Sequence, residues 1–378
     1  MKNKDFTLQT PHTKIDTLVV VGNGFDVWQG LPTTFGSFRN FYFSHREEIL
    51  KKLRLPLFDV VFDDGTIEYV SDVELVYGNP FSPRNLDDHF WGNFEYSLSD
   101  VDDQCLNLFF GKTRNGLRAL KRSVGNAKKI LSTAFSLWAK SIEVSASPTT
   151  KVFGENCLFI NFNYTDTLQK RFNIPPTKIF HPHGSIADGD DLIFGHSSHP
   201  ETPSKDLYRF GGRFRGLYFV ECLLRMTDKN VLDHVQELRF FFALNCVRAE
   251  DIKEVYVLGH AINPVDLLYF DFLAETTTVN RPTEPSSRDE ELDIISQIRQ
   301  AEQEAKDKAS ERYFYKLLGI KQGLLQAPKS ERTNDAQWHV TCFSQMDKKW
   351  IPTAISKLGV SNVKFYDDIP SCIKSLKK

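Results

Sequence analysis

The sequence predicts an α/β fold: a mostly parallel sheet with helices on both faces, extended by helical insertions. Three observations predict it. The segment Asp16-Thr-Leu-Val-Val-Val-Gly-Asn-Gly-Phe-Asp26 is a continuous apolar run ending in Gly-x-Gly, the pattern of a buried parallel strand entering a tight turn. From Cys157 onward, short apolar runs alternate with helical patterns, which implies parallel strands joined by crossover helices. The composition, 41% hydrophobic and 25% charged, is that of a soluble globular chain, and 31 Phe residues supply a sizeable core.

The elements follow in order. After the first strand, Thr33 or Thr34 caps a helix reaching about Glu48, with Phe35, Phe38 and Tyr42 on one face. Residues 57–70 read as a hairpin, because Asp64-Gly65 sets a turn signal between two β-rich segments. Residues 87–98 read as a helix with Trp91, Phe94, Glu95 and Leu98 at helical spacing. Between Gly111 and Lys140 there are eight Lys or Arg and no Asp or Glu, on an amphipathic helical pattern whose basic side chains form a solvated face. Residues 40–150 are thus a mainly helical insertion with a small hairpin, within a single α/β domain spanning 1–378.

The second half supplies the remaining strands. Cys157–Phe162 is followed by Asn163-Tyr-Thr-Asp166 and a short helix. Lys178–Phe180 leads into His181-Pro-His-Gly-Ser185, and Asp191–Phe194 into Gly195-His-Ser197. Glu254–Leu258 leads into Gly259-His-Ala261 and a helix near Pro264. Gln337–Phe343 and Asn362–Tyr366 read as late strands, with a helix from about Asp347 between them. Residues 276–335, polar and then charged, break this rhythm and read as a peripheral loop–helix insertion.

Charge and composition also exclude function classes. A net charge of −2 argues against a whole-surface nucleic-acid binder. No apolar run reaches the roughly 20 residues needed to cross a bilayer, and the N-terminal MKNKDFTLQTPHTKIDT lacks the apolar stretch of a secretory signal. The six cysteines form no CxxC pair and read as reduced thiols. A cytoplasmic protein is expected.

Four motifs share one position, the C-terminal end of a predicted strand: Gly22-Asn-Gly-Phe-Asp26, Asn163-Tyr-Thr-Asp166, His183-Gly-Ser185 and Gly259-His260. In an open parallel sheet these ends converge on one ligand crevice. The Gly22-x-Gly24 turn offers backbone N–H groups to a phosphate, although Val27 stands where a dinucleotide fingerprint would place its third glycine.

The blocks GNGFDVWQGLPTTFGSF, WGNFEYSL, INFNYTDTLQK, HPHGS, LIFGH and VYVLGHAINPVDLLYF together resemble the AbiH family of phage abortive-infection proteins. The resemblance implies an antiphage function with a phage-derived trigger or a defence partner protein, and leaves a homo-oligomer open. A more distant likeness is to sirtuin-like, Rossmann-like domains. GNG is similar to their GAG turn, FNYTD to their Asn-x-Asp block and HGS to their catalytic His-Gly. VLGH is similar to their later phosphate- or ribose-contacting glycine motif. Asp166 falls three residues after Asn163 rather than two, and the zinc-binding cysteines of classical sirtuins are missing. This likeness implies NAD as a substrate, direct NAD cleavage rather than protein deacylation, and no metal.

Cleaving the nicotinamide–ribose bond builds positive charge on the ribose. The expected catalytic residues are Asn163, to orient water or a ribose hydroxyl, His183, as a general base, and Asp26, to stabilise the cation. The expected nucleotide-binding residues are Gly22, Asn23, Gly24, Phe25, Asp166, Ser185, Gly259 and His260. Two alternatives stay open. One is a metal-dependent phosphoesterase or nuclease using His181, His183, His196, His260 and Asp26, since residues two apart in an extended segment face one side. The other is a non-catalytic nucleotide-sensing module.

Overall fold

The computed structural model describes residues 14–61, 67–77, 116–146, 152–190, 192–193, 229, 231–279, 333–334 and 336–376. At its centre lies β1 (Thr17–Val21), a strand buried along its whole length. Alternation splits it between two cores. Leu18 and Val20 face one and Val19 and Val21 the other, as a strand covered on both sides requires.

Five more strands complete the sheet: β4 (Cys157–Asn161), β5 (Ile179–Phe180), β6 (Glu254–Leu258), β9 (Gln337–Thr341) and β10 (Val363–Tyr366). The order is β10-β9-β6-β1-β4-β5, and every pairing is parallel. The chain steps outward from β1 through β4 to β5. It then returns to the other side of β1 for β6, β9 and β10. This is the Rossmann-like order, and the direction reverses between β1 and β6, where an open α/β sheet leaves a crevice at its carboxyl edge.

Helices cover both faces. α6 (Val231–Leu244), α7 (Leu267–Thr276) and α8 (Gln345–Lys357) pack on the Leu18/Val20 side. α5 (Thr167–Phe172) and α9 (Ile369–Leu376) pack on the Val19/Val21 side, together with Phe25 of α1 (Asn23–Trp28). A third core joins α2 (Phe35–Leu53), α3 (Asp72–Tyr77) and α4 (Gly116–Ser141). Thr34 caps α2 by accepting from the Ser37 N–H at 3.1 Å. Ile49 and Leu50 carry the apolar stripe past Glu48, and the helix stops at Arg54 in the left-handed conformation. On α4 the buried Val124, Ala127, Ile130, Leu131, Ala134, Phe135 and Trp138 recur at helical spacing, which leaves Arg122, Lys128, Lys129 and Lys140 on the solvent side.

β2 (Phe58–Val61) and β3 (Ile67–Val70) form the expected antiparallel hairpin. Residues 87–98 and Gly195–Ser197, including His196, lie outside the described residues. β7 (Thr278–Val279) pairs antiparallel with β8 (Thr333–Asn334), apart from the six-stranded sheet, and residues 280–332 lie outside the described residues. α8 opens on a reciprocal capping box between Ser344 and Asp347.

The Gly-x-Gly turn leads directly into the short helix α1. One expectation is corrected. The strand expected at Asp191–Phe194 is not formed at Leu192 and Ile193. There the chain has turned back at Gly184 (φ 80°), and Ile193 is held against the site instead. Its N–H donates to the His183 carbonyl at 2.9 Å, and its carbonyl accepts from Tyr164 Oη at 2.8 Å. Among the described residues no helix is long and apolar enough to cross a membrane. The described cysteines, Cys157, Cys246, Cys342 and Cys372, are free.

Candidate functional site

The β1 and β6 turns meet backbone to backbone. The Gly22 N–H donates to the Leu258 carbonyl at 3.0 Å and the Gly24 N–H to the Gly259 carbonyl at 2.8 Å. Gly259 has φ 69°, and a Cβ there would lie 2.3 Å from the Phe25 nitrogen. A Cβ on Gly24 would lie 2.9 Å from the Gly259 Cα. The glycines therefore let two strand ends touch, and the Gly22 and Gly24 amides, which an anion would need, are engaged within the protein. Gly259→Ala is expected to cost roughly 2–3 kcal/mol, from left-handed strain plus a backbone clash. Gly30→Ala, also at positive φ (79°) but with nothing near its Cβ, is expected to cost about 1 kcal/mol. Urea denaturation of the two variants checks the ranking.

Above these turns lies a cleft of about 670 Å³, within the range of small-molecule sites. Of the sequence-derived candidates, Asn23, Gly24, Asp26, Asn163, His183, Gly259 and His260 line it. Gly22, Phe25, Asp166 and Ser185 do not. Gly22 is packed under His260, Phe25 is core, and Asp166 pairs with Lys170 at 2.9 Å beside a separate groove. Ser185 is buried, its N–H donating to Asp190 Oδ2 at 3.1 Å. Trp28, Phe35, Trp138, Phe162, Tyr164 and Phe343 give the cleft aromatic walls that single-position reading had treated as core or had passed over.

Two carboxyl groups carry the electrostatics. Asp26, almost fully buried, accepts from Thr165 Oγ1 at 2.6 Å through Oδ2, while Oδ1 has no hydrogen-bond partner. Burial raises its pKa to about 6, against smaller opposing effects of Thr165, Thr167, Asn163 and Arg171. Asn163, at the end of β4, clasps the β1 turn. Its Nδ2 donates to the Gly22 carbonyl at 3.0 Å, and its N–H donates to Asn161 Oδ1 at 3.0 Å.

Asp266 is the second carboxyl. Its Oδ1 lies 3.2 Å from His183 Nε2 and 3.4 Å from Lys229 Nζ, and its Oδ2 lies 3.4 Å from His260 Nε2. All four residues are buried. Burial alone would push Asp266 up. Lys229, then His183, outweighs it and holds the carboxyl well below the usual range. His183 is driven the other way, down to about 4, by burial and then by Lys229. It is neutral at physiological pH, and its Nε2 lies between the Asp266 carboxylate and Lys229 Nζ, 3.3 Å from the latter. His260 reaches the same carboxylate through Nε2, while its Nδ1 accepts at 2.9 Å from the N–H of Ile262, a buried β-branched residue at φ 50°.

His181 departs from the alternative that paired it with His183. Its Nδ1 contacts the Asn163 carbonyl at 3.1 Å and its Nε2 faces Gln169, because the chain turns at Pro182 instead of running extended. Among the described residues no group of three or more His, Cys, Asp or Glu has the arrangement of a metal site. Lys229 carried no sequence signal: it stands 37 residues from Asp266 and becomes its partner only through folding. Asp266 had one, its place just after Gly259-His260 at the start of a helix.

A family model described as "Bacteriophage abortive infection AbiH" matches residues 18–283, which run from the second residue of β1 through β7 and include every cleft residue up to Asp266. No curated protein and no solved structure matches the chain.

Proposed function

The chain belongs to the bacteriophage abortive infection AbiH family, and from that premise we propose that it serves phage defence by hydrolysing the nicotinamide–ribose bond of NAD, or of a close relative, in the β1/β6 cleft. The observation that carries this reading is Asp26, a buried carboxyl lining a nucleotide-sized cleft, with one unpartnered oxygen and a pKa of about 6. A group titrating near the operating pH is suited to proton transfer, and an ionised carboxylate stabilises an oxocarbenium-like centre. In this mechanism the glycosidic bond breaks with its electron pair passing to the ring nitrogen. Nicotinamide leaves neutral, and water adds to C1′ and gives its proton to Asp26. This moves the base from His183, whose low pKa makes it a weak acceptor, to Asp26. His183, held by Asp266, orients a ribose hydroxyl, and Asn163 stands beside Asp26 to position the water.

The test is cellular NAD during phage challenge. Cells carrying the wild-type protein are expected to lose most of their NAD as infection proceeds, and cells carrying His183→Ala to keep it and lose protection. Protection with NAD unchanged would refute hydrolysis. Ligand binding without turnover in infected cells would identify a sensing module instead.

A further inference from the structure

We propose that the cleft is a site for an N-alkylated pyridinium, the cationic ring of an oxidised nicotinamide, and that it discriminates against neutral rings of the same shape. The inference rests on reading the cleft as a nicotinamide-nucleotide site and goes beyond it by assigning what selects the ligand.

Charge is the first observation. Among the described residues lining the cleft there is no Lys or Arg, while three are Asp. Asp266 is matched by Lys229 and faces the Nε2 atoms of His183 and His260. Asp347 closes the cap of α8, accepting from the Ser344 N–H at 3.0 Å. Among the described residues neither Asp347 nor Asp26 has a cation in contact, and of the two only Asp26 is buried. Arg171 acts on it as the smallest of its influences, with its guanidinium bonded to the Gln29 carbonyl and side chain. One buried carboxylate is thus left without a counter-charge, touched only by the neutral side chains of Thr165, Thr167 and Asn163, with Oδ1 making no hydrogen bond of ordinary geometry. A buried charge of this kind favours a ligand that brings the opposite one.

The walls decide which cation. Trp28, Phe35, Trp138 and Tyr164 present aromatic rings to the cleft, and ring faces attract cations whose charge is diffuse and weakly hydrated. A compact inorganic cation would exchange a full hydration shell for apolar surface, whereas a pyridinium loses little on transfer and stacks. The volume, about 670 Å³, suits a ring with its ribose. The same lining disfavours phosphate in the interior, so the charged tail of a dinucleotide is directed outward, past the half-exposed Trp28 and Phe343. In the reaction the positive charge moves by one bond, from ring nitrogen to C1′, so a carboxylate that selects the substrate also serves the transition state.

Calorimetric titration of the purified full chain with 1-methylnicotinamide and with 3-methylbenzamide tests this, since the two have one shape and differ by one charge. The cation is expected to bind at least about tenfold tighter. Asp26→Asn is expected to reduce the preference to about twofold or less, and Trp28→Ala to weaken the cation by several-fold while leaving the fold intact. Equal affinities in the wild type, or a preference untouched by both variants, would overturn the proposal. The outcome separates from that of the NAD reading. NAD loss in infected cells with no charge preference overturns only the pyridinium site. A clear preference with NAD unchanged supports the site and removes the hydrolysis.

Discussion

Asp26→Asn is expected to make the protein more stable at neutral pH and to abolish most of its turnover. The stability change follows from linkage. The Asp26 pKa is raised from 3.8 to about 6 by burial, so folding favours the protonated form. The penalty of ionising it in place is absent below pH 3.8, grows as pH rises and is complete above about 6. At roughly 1.4 kcal/mol per pKa unit this amounts to about 3 kcal/mol. Asparagine never ionises and still accepts from Thr165, so the net gain is about 2 kcal/mol at pH 7.5 and close to zero near pH 4. His183 titrates in the same window in the opposite sense, but identically in both proteins, and drops out of the difference. Urea midpoints at the two pH values measure it; equal midpoints at pH 7.5 would show that the carboxyl is not held in an unfavourable environment. Turnover is expected to fall by about 10²–10⁴, the usual consequence of losing an acid–base group. A variant that is more stable and inactive marks a residue kept for chemistry at a cost to the fold.

Asp266→Ala is expected to cost about 3–5 kcal/mol, because it breaks a buried ion pair, taking from the Lys229 ammonium the carboxylate it is paired with. It also removes the carboxylate that the Nε2 atoms of His183 and His260 face. Lys229→Met is expected to be milder and pH-dependent. After burial, Lys229 is the main influence holding His183 down, so removing it raises the His183 pKa and lets protonated His183 take over as partner of Asp266. A raised folded-state pKa stabilises below it and loses that contribution as pH rises through it. The Lys229→Met deficit should therefore be smaller at pH 5 than at pH 8. Thermal melting of both variants at these pH values checks the order, and a Lys229→Met deficit independent of pH would show that His183 does not replace the lysine. The wild type runs the other way: the neutral His183 contributes stability above pH 6.5 that is lost as pH falls toward 4.

The sequence by itself determined the sheet and the edge at which its strand-end motifs meet. The run Thr17–Val21 has too few polar groups to be anything but a strand covered on both faces, and the runs at Cys157 and Glu254 repeat it. Parallel pairing then places Gly24, Asn163 and Gly259 at one edge, because every parallel strand ends on the same side. Such patterns are legible because apolar periodicity is a local property of the chain. Only the tertiary structure decided what each polar residue does there. Lys229 reaches Asp266, the glycines serve a turn–turn contact, His181 and His183 diverge at a turn, and Asp26 rather than His183 titrates near neutrality. The reason is physical. A pKa, a partner and a steric limit are set by what packs within a few ångströms, and those neighbours come from elements tens to hundreds of residues apart, whose approach no local pattern records.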